Sequence, residues 1–377
     1  MRILIAGDFV PRHRTVLQIE KGDFSCLEKV KPIIQSLDYA IVNFESPVVM
    51  REAKPIEKTG PSLHCSEKAM ECVAQAGFKC VTLANNHFRD FGQVGVEDTL
   101  QACKKYNVDY VGGGKDIEEA ERILYKKING QTLAIINVCE HEWSIASEKH
   151  GGSAPLNLVK NYYVVQEANE NADFVLVIVH GGKERYNLPT PRMQDTYRYF
   201  IDIGADAVVN HHQHCYSGYE VYNGHPIFYG LGNFSYDKIT PRNDKMWEEG
   251  YMVELNFSTD ISYKIHPYIQ ATEEQSAVHP IQAKDAFLKS LDGINGIIVD
   301  RTKLVGEFKS FAEKSYGHKD ILVPYSTSVT KRLCSIRVLP SFLSKRRLIR
   351  LLAYIQCESH RDLIIEKLKT ELSYYHE

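Results

Sequence analysis

The sequence predicts an α/β protein whose sheets are covered by helices, and two observations predict it. Short, continuously apolar, β-prone runs recur along the chain, each stopping at a polar loop, and helical stretches fall between them. Continuous apolar runs suit strands buried on both faces. Their alternation with helices places the helices over the sheets.

The runs follow in order. Arg2-Ile3-Leu4-Ile5-Ala6 stops at Gly7-Asp8, and Tyr39-Ala40-Ile41-Val42 at Asn43-Phe44-Glu45. Cys80-Val81-Thr82-Leu83-Ala84 stops at Asn85-Asn86-His87. Phe174-Val175-Leu176-Val177-Ile178-Val179 stops at His180-Gly181-Gly182, and Ala207-Val208-Val209 at Asn210-His211-His212-Gln213-His214. Helices are expected over 92–106, with Val96, Leu100 and Cys103 on the apolar side, and over 156–168. The runs at 226–229 and 251–257 are expected to be antiparallel strands closing a second sheet. After residue 271 the chain reads as helical at 286–291, 302–315 and 344–375, with Pro324 and Pro340 marking linkers. This divides the chain into 1–270 and a helical extension, 271–377. Gly112-Gly113-Gly114-Lys115 lacks the spacing and the Ser or Thr of a phosphate loop and reads as a turn.

Composition narrows the function. The chain has 377 residues, 44% hydrophobic and 25% charged, with a net charge of -3. It lacks the basic footprint that nucleic acid binding leaves. Nine cysteines form no C-x-x-C pair and several lie inside apolar runs, so buried reduced thiols are expected. MRILIAGDF leads directly into a strand, without the apolar core of a signal peptide. No run approaches the roughly 18 apolar residues of a membrane helix. The expected compartment is the cytoplasm.

The chemistry collects at the strand ends. Asp8, Glu45, Asn86, His180, His212 and His214 each follow a predicted strand, and loops at the carboxyl ends of strands converge on one crevice. Singly, each has a plain reading: a turn or cap Asp, a turn Asn, a satisfied His. Together, ligand-type residues at five strand ends point to a shared site. Oxygen and imidazole donors suit Mn, Fe or Zn. The two-residue spacing of His212 and His214 would, in an extended segment, set both rings on one side.

These stretches resemble the CapA family, the poly-γ-glutamate or capsule synthesis proteins within the calcineurin-like metallophosphatase superfamily. The resemblance rests on Gly7-Asp8, Asn43-Phe44-Glu45-Ser46-Pro47, and Leu83-Ala84-Asn85-Asn86-His87 with Asp90 and Gly92. It continues through His180-Gly181-Gly182 with Glu184, Gly204-Ala205-Asp206 leading to 210–214, and Leu231-Gly232-Asn233-Phe234. It implies a four-layer α-β-β-α sandwich, two divalent ions, a bridging role for Glu45 and metal binding by Asp8, Asn86, His180, His212 and His214. It also implies catalytic work for His87 near the leaving group, with Asp90 and Glu184 at the rim. The chain departs from the wider superfamily in having Phe9-Val10 after Asp8, where a D-x-H is usual, and a Glu in N-F-E where an Asp is usual.

The expected function is capsule or surface-polymer biosynthesis by a metal-dependent hydrolase or transferase acting on a phosphate, ester or amide bond. The alternatives are a metal-free acid–base enzyme and a non-catalytic subunit of a capsule synthesis complex. Arg12, Arg14, Lys183, Arg185 and Asn233 are the candidates for holding an anionic polymer precursor. Basic residues interleaved with apolar ones over 331–350 suggest either core packing or weak contact with an anionic membrane surface. Since none of the expected ligands lies beyond 330, removing that tail is expected to leave the site chemistry intact.

Overall fold

The computed structural model describes residues 1–238, 244–314, 332–333, 336 and 345–373. In chain order the first part holds β1 (Arg2–Val10), α1 (His13–Glu20), α2 (Lys31–Gln35), β2 (Tyr39–Phe44), α3 (Lys68–Ala76), β3 (Cys80–Thr82), α4 (Gly92–Lys105) and β4 (Asp109–Val111). The middle holds β5 (Gly113–Gly114), α5 (Ile117–Ala120), β6 (Leu124–Ile128), β7 (Gln131–Cys139), β8 (Gly152–Ser153), α6 (Leu158–Asn171), β9 (Phe174–His180), α7 (Pro191–Asp202) and β10 (Ala207–His211). Then come β11 (Tyr219–Tyr222), β12 (His225–Phe228), β13 (Asn233–Tyr236), α8 (Lys245–Glu248), β14 (Glu249–Asn256), β15 (Ser262–Ile269) and β16 (His279–Pro280). The chain continues through α9 (Lys284–Ile298), α10 (Arg301–Lys314), α11 (Lys345–Gln356) and α12 (Glu358–Ser373).

Two sheets form the centre. One runs β16-β15-β14-β1-β2-β3-β4, with β13 also paired to β1; the other runs β11-β12-β10-β9-β7-β6. Strand alternation explains the layers, because successive side chains leave opposite faces. Ile3, Ile5 and Ile41 of the first sheet meet Ile135, Leu176, Ile178 and Val209 of the second in one core between the sheets. The intervening positions Leu4, Ala6 and Val42 turn outward onto Val73, Val96 and Cys103 of α3 and α4. Val177 and Val208 turn outward onto Tyr197, Phe200, Leu304 and Phe308 of α7 and α10. The order is therefore helix, sheet, sheet, helix, as the resemblance implies.

Local signals set the helix starts that flank the site. Thr190 accepts from the Met193 N–H at the head of α7, with Pro191 in its first turn, and Asn157 caps α6 through Lys160 N–H.

The strands at 226–229 and 251–257 do not build one antiparallel sheet, as expected from sequence. β12 joins the second sheet parallel to β10, while β14 pairs antiparallel with β1 in the first. A period-2 pattern marks a strand but not its neighbours. The helices after residue 271 share the same cores, through Leu291, Ile298, Leu304, Phe308 and Leu363. The eight described cysteines are free and buried. Among the described residues no helix is long and apolar enough to cross a membrane. Of the basic segment expected at 331–350, Lys331, Arg337, Val338, Leu339, Phe342 and Leu343 lie outside the described residues, as do Pro324 and Pro340.

Gly7 places Asp8. The register of β1 against β2 shifts between Ala6 and Asp8, and Asp8 N–H donates to Gly232 O at 3.1 Å. A Cβ on residue 7 would lie 1.9 Å from that same Gly232 oxygen, so the backbones touch only because residue 7 is glycine. Gly7→Ala is expected to destabilise the chain by about 3 kcal/mol, the upper end for overpacking. A urea midpoint unchanged from wild type would refute this.

Candidate metal centre

The donors come from both sheets and meet where the strands end. Asp8 lies in the shifted stretch of β1, Glu45 follows β2 and Asn86 follows β3. His180 closes β9, while His212 and His214 follow β10. All six are buried. The loop carrying the two histidines is not extended: His212 has φ 93° and His214 φ 55°, left-handed backbone that non-glycine residues adopt at a cost. Both rings still face the site, with centroids 6.1 Å apart.

The donors fall into two groups that share Glu45. In one, Asp8, Glu45 and His214 offer ligand atoms within 4.8 Å of one another; in the other, Glu45, His180 and His212 do so. Asn86 joins the second group, its Oδ1 standing 3.1 Å from His180 Nε2, which is 3.0 Å from His212 Nδ1. Asp8 Oδ2 and Glu45 Oε1 are buried and make no hydrogen bond among the described residues. Burial drives Glu45 well above the ordinary carboxylate range. Burial likewise drives His180 well below the usual imidazole value, with His212 and His211 adding to it. Burial opposes charge on His214, but Glu45 and Asp8 push its pKa up to about 10. Two buried carboxylate oxygens without a hydrogen bond among the described residues, set beside the imidazoles of His180, His212 and His214, are a donor set that divalent cations would complete. The residues present therefore fit divalent metal, with Glu45 common to both donor groups.

Outer contacts orient these donors, and the sequence reading missed most of them. Asn43 Nδ2 donates to Asp8 Oδ1 at 2.8 Å. Asn233, expected at the substrate, instead holds His214. Its Oδ1 accepts from His214 Nδ1 at 3.0 Å, and its Nδ2 donates to the His214 and Trp247 carbonyls. That leaves His214 Nε2 toward Glu45, at 3.7 Å. Glu142 accepts from Asn86 Nδ2 at 3.4 Å and stands 3.5 Å from His212 Nε2. Glu142 lies beyond β7, where no strand-end motif marked it.

His87 follows Asn86 but turns to a different cluster. Its Nδ1 lies 2.7 Å from Asp90 Oδ2 and 3.0 Å from Lys58 Nζ. Asp90 also accepts from Leu63 N–H at 2.7 Å and from Lys58. Burial lowers His87 to about 4 despite Asp90. Nδ1 is thus held between Asp90 and Lys58, and Nε2 makes no hydrogen bond among the described residues. Lys58, with 3% of its side chain exposed, arrives on a loop without regular structure, so periodicity could not have flagged it.

The expected substrate cations divide. Arg12 is half-buried beside the Tyr236 hydroxyl, and the Tyr236 ring contacts His214. Exposed Glu184 lies within electrostatic reach of His214, His212 and His87, and Lys183 within reach of Glu184 and His360. Arg14, by contrast, is spent on the fold. It binds both oxygens of buried Asp237 and the carbonyls of Thr272, Glu273 and Gln275. Arg185 pairs with Asp244 at 2.7 Å and lies over the Trp247 ring.

The tail, whose removal was expected to leave the site chemistry intact, touches the site's outer contacts. Glu358 binds His141 through its backbone N–H and Nδ1 at 2.8 and 2.7 Å, and Ser359 donates to buried Glu140. No ligand lies in α12, but its first turn packs on the segment that carries Glu142.

Two helix-covered sheets thus carry, at their strand ends, a carboxylate, amide and imidazole cluster of the type that holds divalent metal. Residues 2–238 match the family described as bacterial capsule synthesis protein PGA_cap, and the chain belongs to that family. It is 33% identical over 247 residues to the capsule biosynthesis protein CapA of Bacillus anthracis, covering 63% of this chain and 60% of that protein. It is 34% identical over 222 residues to the PGA biosynthesis protein CapA of Bacillus subtilis, covering 58% of each. The chain thus aligns with less than two thirds of either relative. Among solved structures, the calcineurin-like phosphoesterase YfkN of B. subtilis aligns at TM-score 0.41 and 12% identity, covering 78% of this chain and 98% of that one. A 5′-nucleotidase precursor from Thermus thermophilus aligns at 0.40 and 12%, covering 79% and 59%.

Proposed function

We propose that this chain is a metal-dependent hydrolase or transferase of surface-polymer synthesis, acting on a phosphate, ester or amide bond of an anionic precursor. The observation that supports it most is Glu45, a buried carboxylate shared by two donor groups, with one oxygen left without a hydrogen bond among the described residues.

Asp8, Glu45 and His214 would hold one divalent ion, and Glu45, Asn86, His180 and His212 the other. Ions in such a site stabilise developing negative charge and activate water. The chain's own residues do the rest. Asp90 fixes the His87 ring through Nδ1, so His87 Nε2 can take a proton from one oxygen and return it to another. Lys58 neutralises Asp90, which keeps that carboxylate from drawing the proton fully off His87. Arg12 and Lys183 supply positive charge near the centre for an anionic substrate.

Purified protein is expected to retain Mn, Fe or Zn after dialysis and to hydrolyse bis-p-nitrophenyl phosphate or a γ-glutamyl anilide in a metal-dependent way. Protein that stays metal-free at millimolar Mn and Zn sinks the reading. Turnover persisting in that state would mark the metal-free acid–base enzyme instead.

A further inference from the structure

We propose that the first turn of α12, which lies outside the family-matched stretch, is an outer part of the metal centre and controls the ion on the His212 side. The inference rests on the metal reading above and concerns residues that reading does not use.

The path is short. Glu140, His141 and Glu142 leave the end of β7 in sequence, and Glu140 N–H donates to His180 O at 3.0 Å. Glu140 is buried and turns toward α12. It accepts from Ser359 N–H at 3.2 Å, Ser359 Oγ at 2.9 Å and Arg192 at 2.6 Å. Arg192 in turn binds Asp362 at 2.5 Å, one turn into α12. His141 is held at two points by Glu358. A carboxylate at the start of a helix is favoured by the unpaired N–H groups there, which explains why Glu140 can be buried. With residues 140 and 141 fastened, Glu142 can only turn the other way, where it meets Asn86 Nδ2 and His212 Nε2. It orients the Asn86 amide so that Oδ1 faces His180, and the His212 ring so that Nδ1 does. An outer carboxylate on a ligand imidazole fixes both its tautomer and its direction. His360, the next residue of the turn, has a buried Nδ1 without a hydrogen bond among the described residues and lies within electrostatic reach of Glu142, Lys183 and His212. The Asp8–His214 side is held by Asn43 and Asn233 instead.

The two sides should therefore respond differently. Mn alone is the probe, read as ions per chain by titration and by electron paramagnetic resonance. Wild type is expected to bind two ions and to give the signal of a coupled pair. Glu142→Gln, and separately Glu358→Gln with Ser359→Ala, are expected to keep the ion at Asp8 and His214. They should bind the other about 10- to 100-fold more weakly, in the range for lost outer partners, and give the six-line signal of isolated Mn. Ser359→Thr alone, which retains the hydroxyl and the N–H, should bind both ions as wild type does. Retention of the first ion shows that the variants remain folded. Two ions bound at wild-type affinity in the Glu358→Gln, Ser359→Ala variant would overturn this inference alone. Wild type that binds none overturns it together with the metal reading.

Discussion

Glu45→Gln is expected to leave the chain essentially without metal. The substitution keeps shape and volume but removes the only charge common to both donor groups. Loss of one outer partner costs roughly 10- to 100-fold in affinity, and a shared inner carboxylate should cost more, at both positions together. A second consequence has the opposite sign. Burial raises Glu45 well above its unfolded value. In metal-free protein its ionisation therefore opposes folding, increasingly as pH rises past the ordinary carboxyl range. Glutamine removes that cost. At pH 7 the metal-free variant should thus melt no lower than metal-free wild type, while added Mn raises the melting temperature of wild type alone. Metal content measured after dialysis decides the matter: stoichiometric metal in Glu45→Gln would end the bridging role.

Why Glu45 was legible and Glu142 was not is a matter of what sequence periodicity can carry. Asp8, Glu45, Asn86, His180 and the 212–214 pair each end an apolar run, and a run that stops on a ligand-type residue is visible in one dimension. The same signal located both sheets' central strands. It did not assign strands to sheets, because β12 and β14 differ in partner and not in pattern. Residues that act by holding another side chain leave no such mark. Lys58 sits in an irregular loop, Asn43 inside β2, and Glu358 and Ser359 more than two hundred residues from the glutamate and histidine they hold, Glu140 and His141. Arg14 and Asn233 carried the right chemistry for a substrate and are taken up by Asp237 and His214. Side-chain type identifies what a residue can bind, and only packing decides which partner reaches it first.

His87→Ala and His180→Ala should separate chemistry from metal binding. The two histidines are both buried and near the same centre, yet their contacts differ. His180 Nε2 points among Asn86, His212 and Glu45, at 3.1, 3.0 and 3.6 Å. His87 is turned to Asp90 and Lys58 through Nδ1 and belongs to neither donor group. His180→Ala is expected to lose the ion on its side, and turnover with it. His87→Ala is expected to hold metal at the wild-type level while losing about 10²- to 10⁴-fold in turnover, the usual contribution of a positioned acid–base group. Removing His87 also leaves Lys58 and Asp90 as a closed ion pair, so the loop that carries Lys58 should stay in place and the fold should survive. His87→Gln, which can accept a hydrogen bond but cannot carry a proton, should be no more active than alanine. Metal lost from His87→Ala as completely as from His180→Ala would make His87 a ligand, and turnover restored by glutamine would make it a mere spacer.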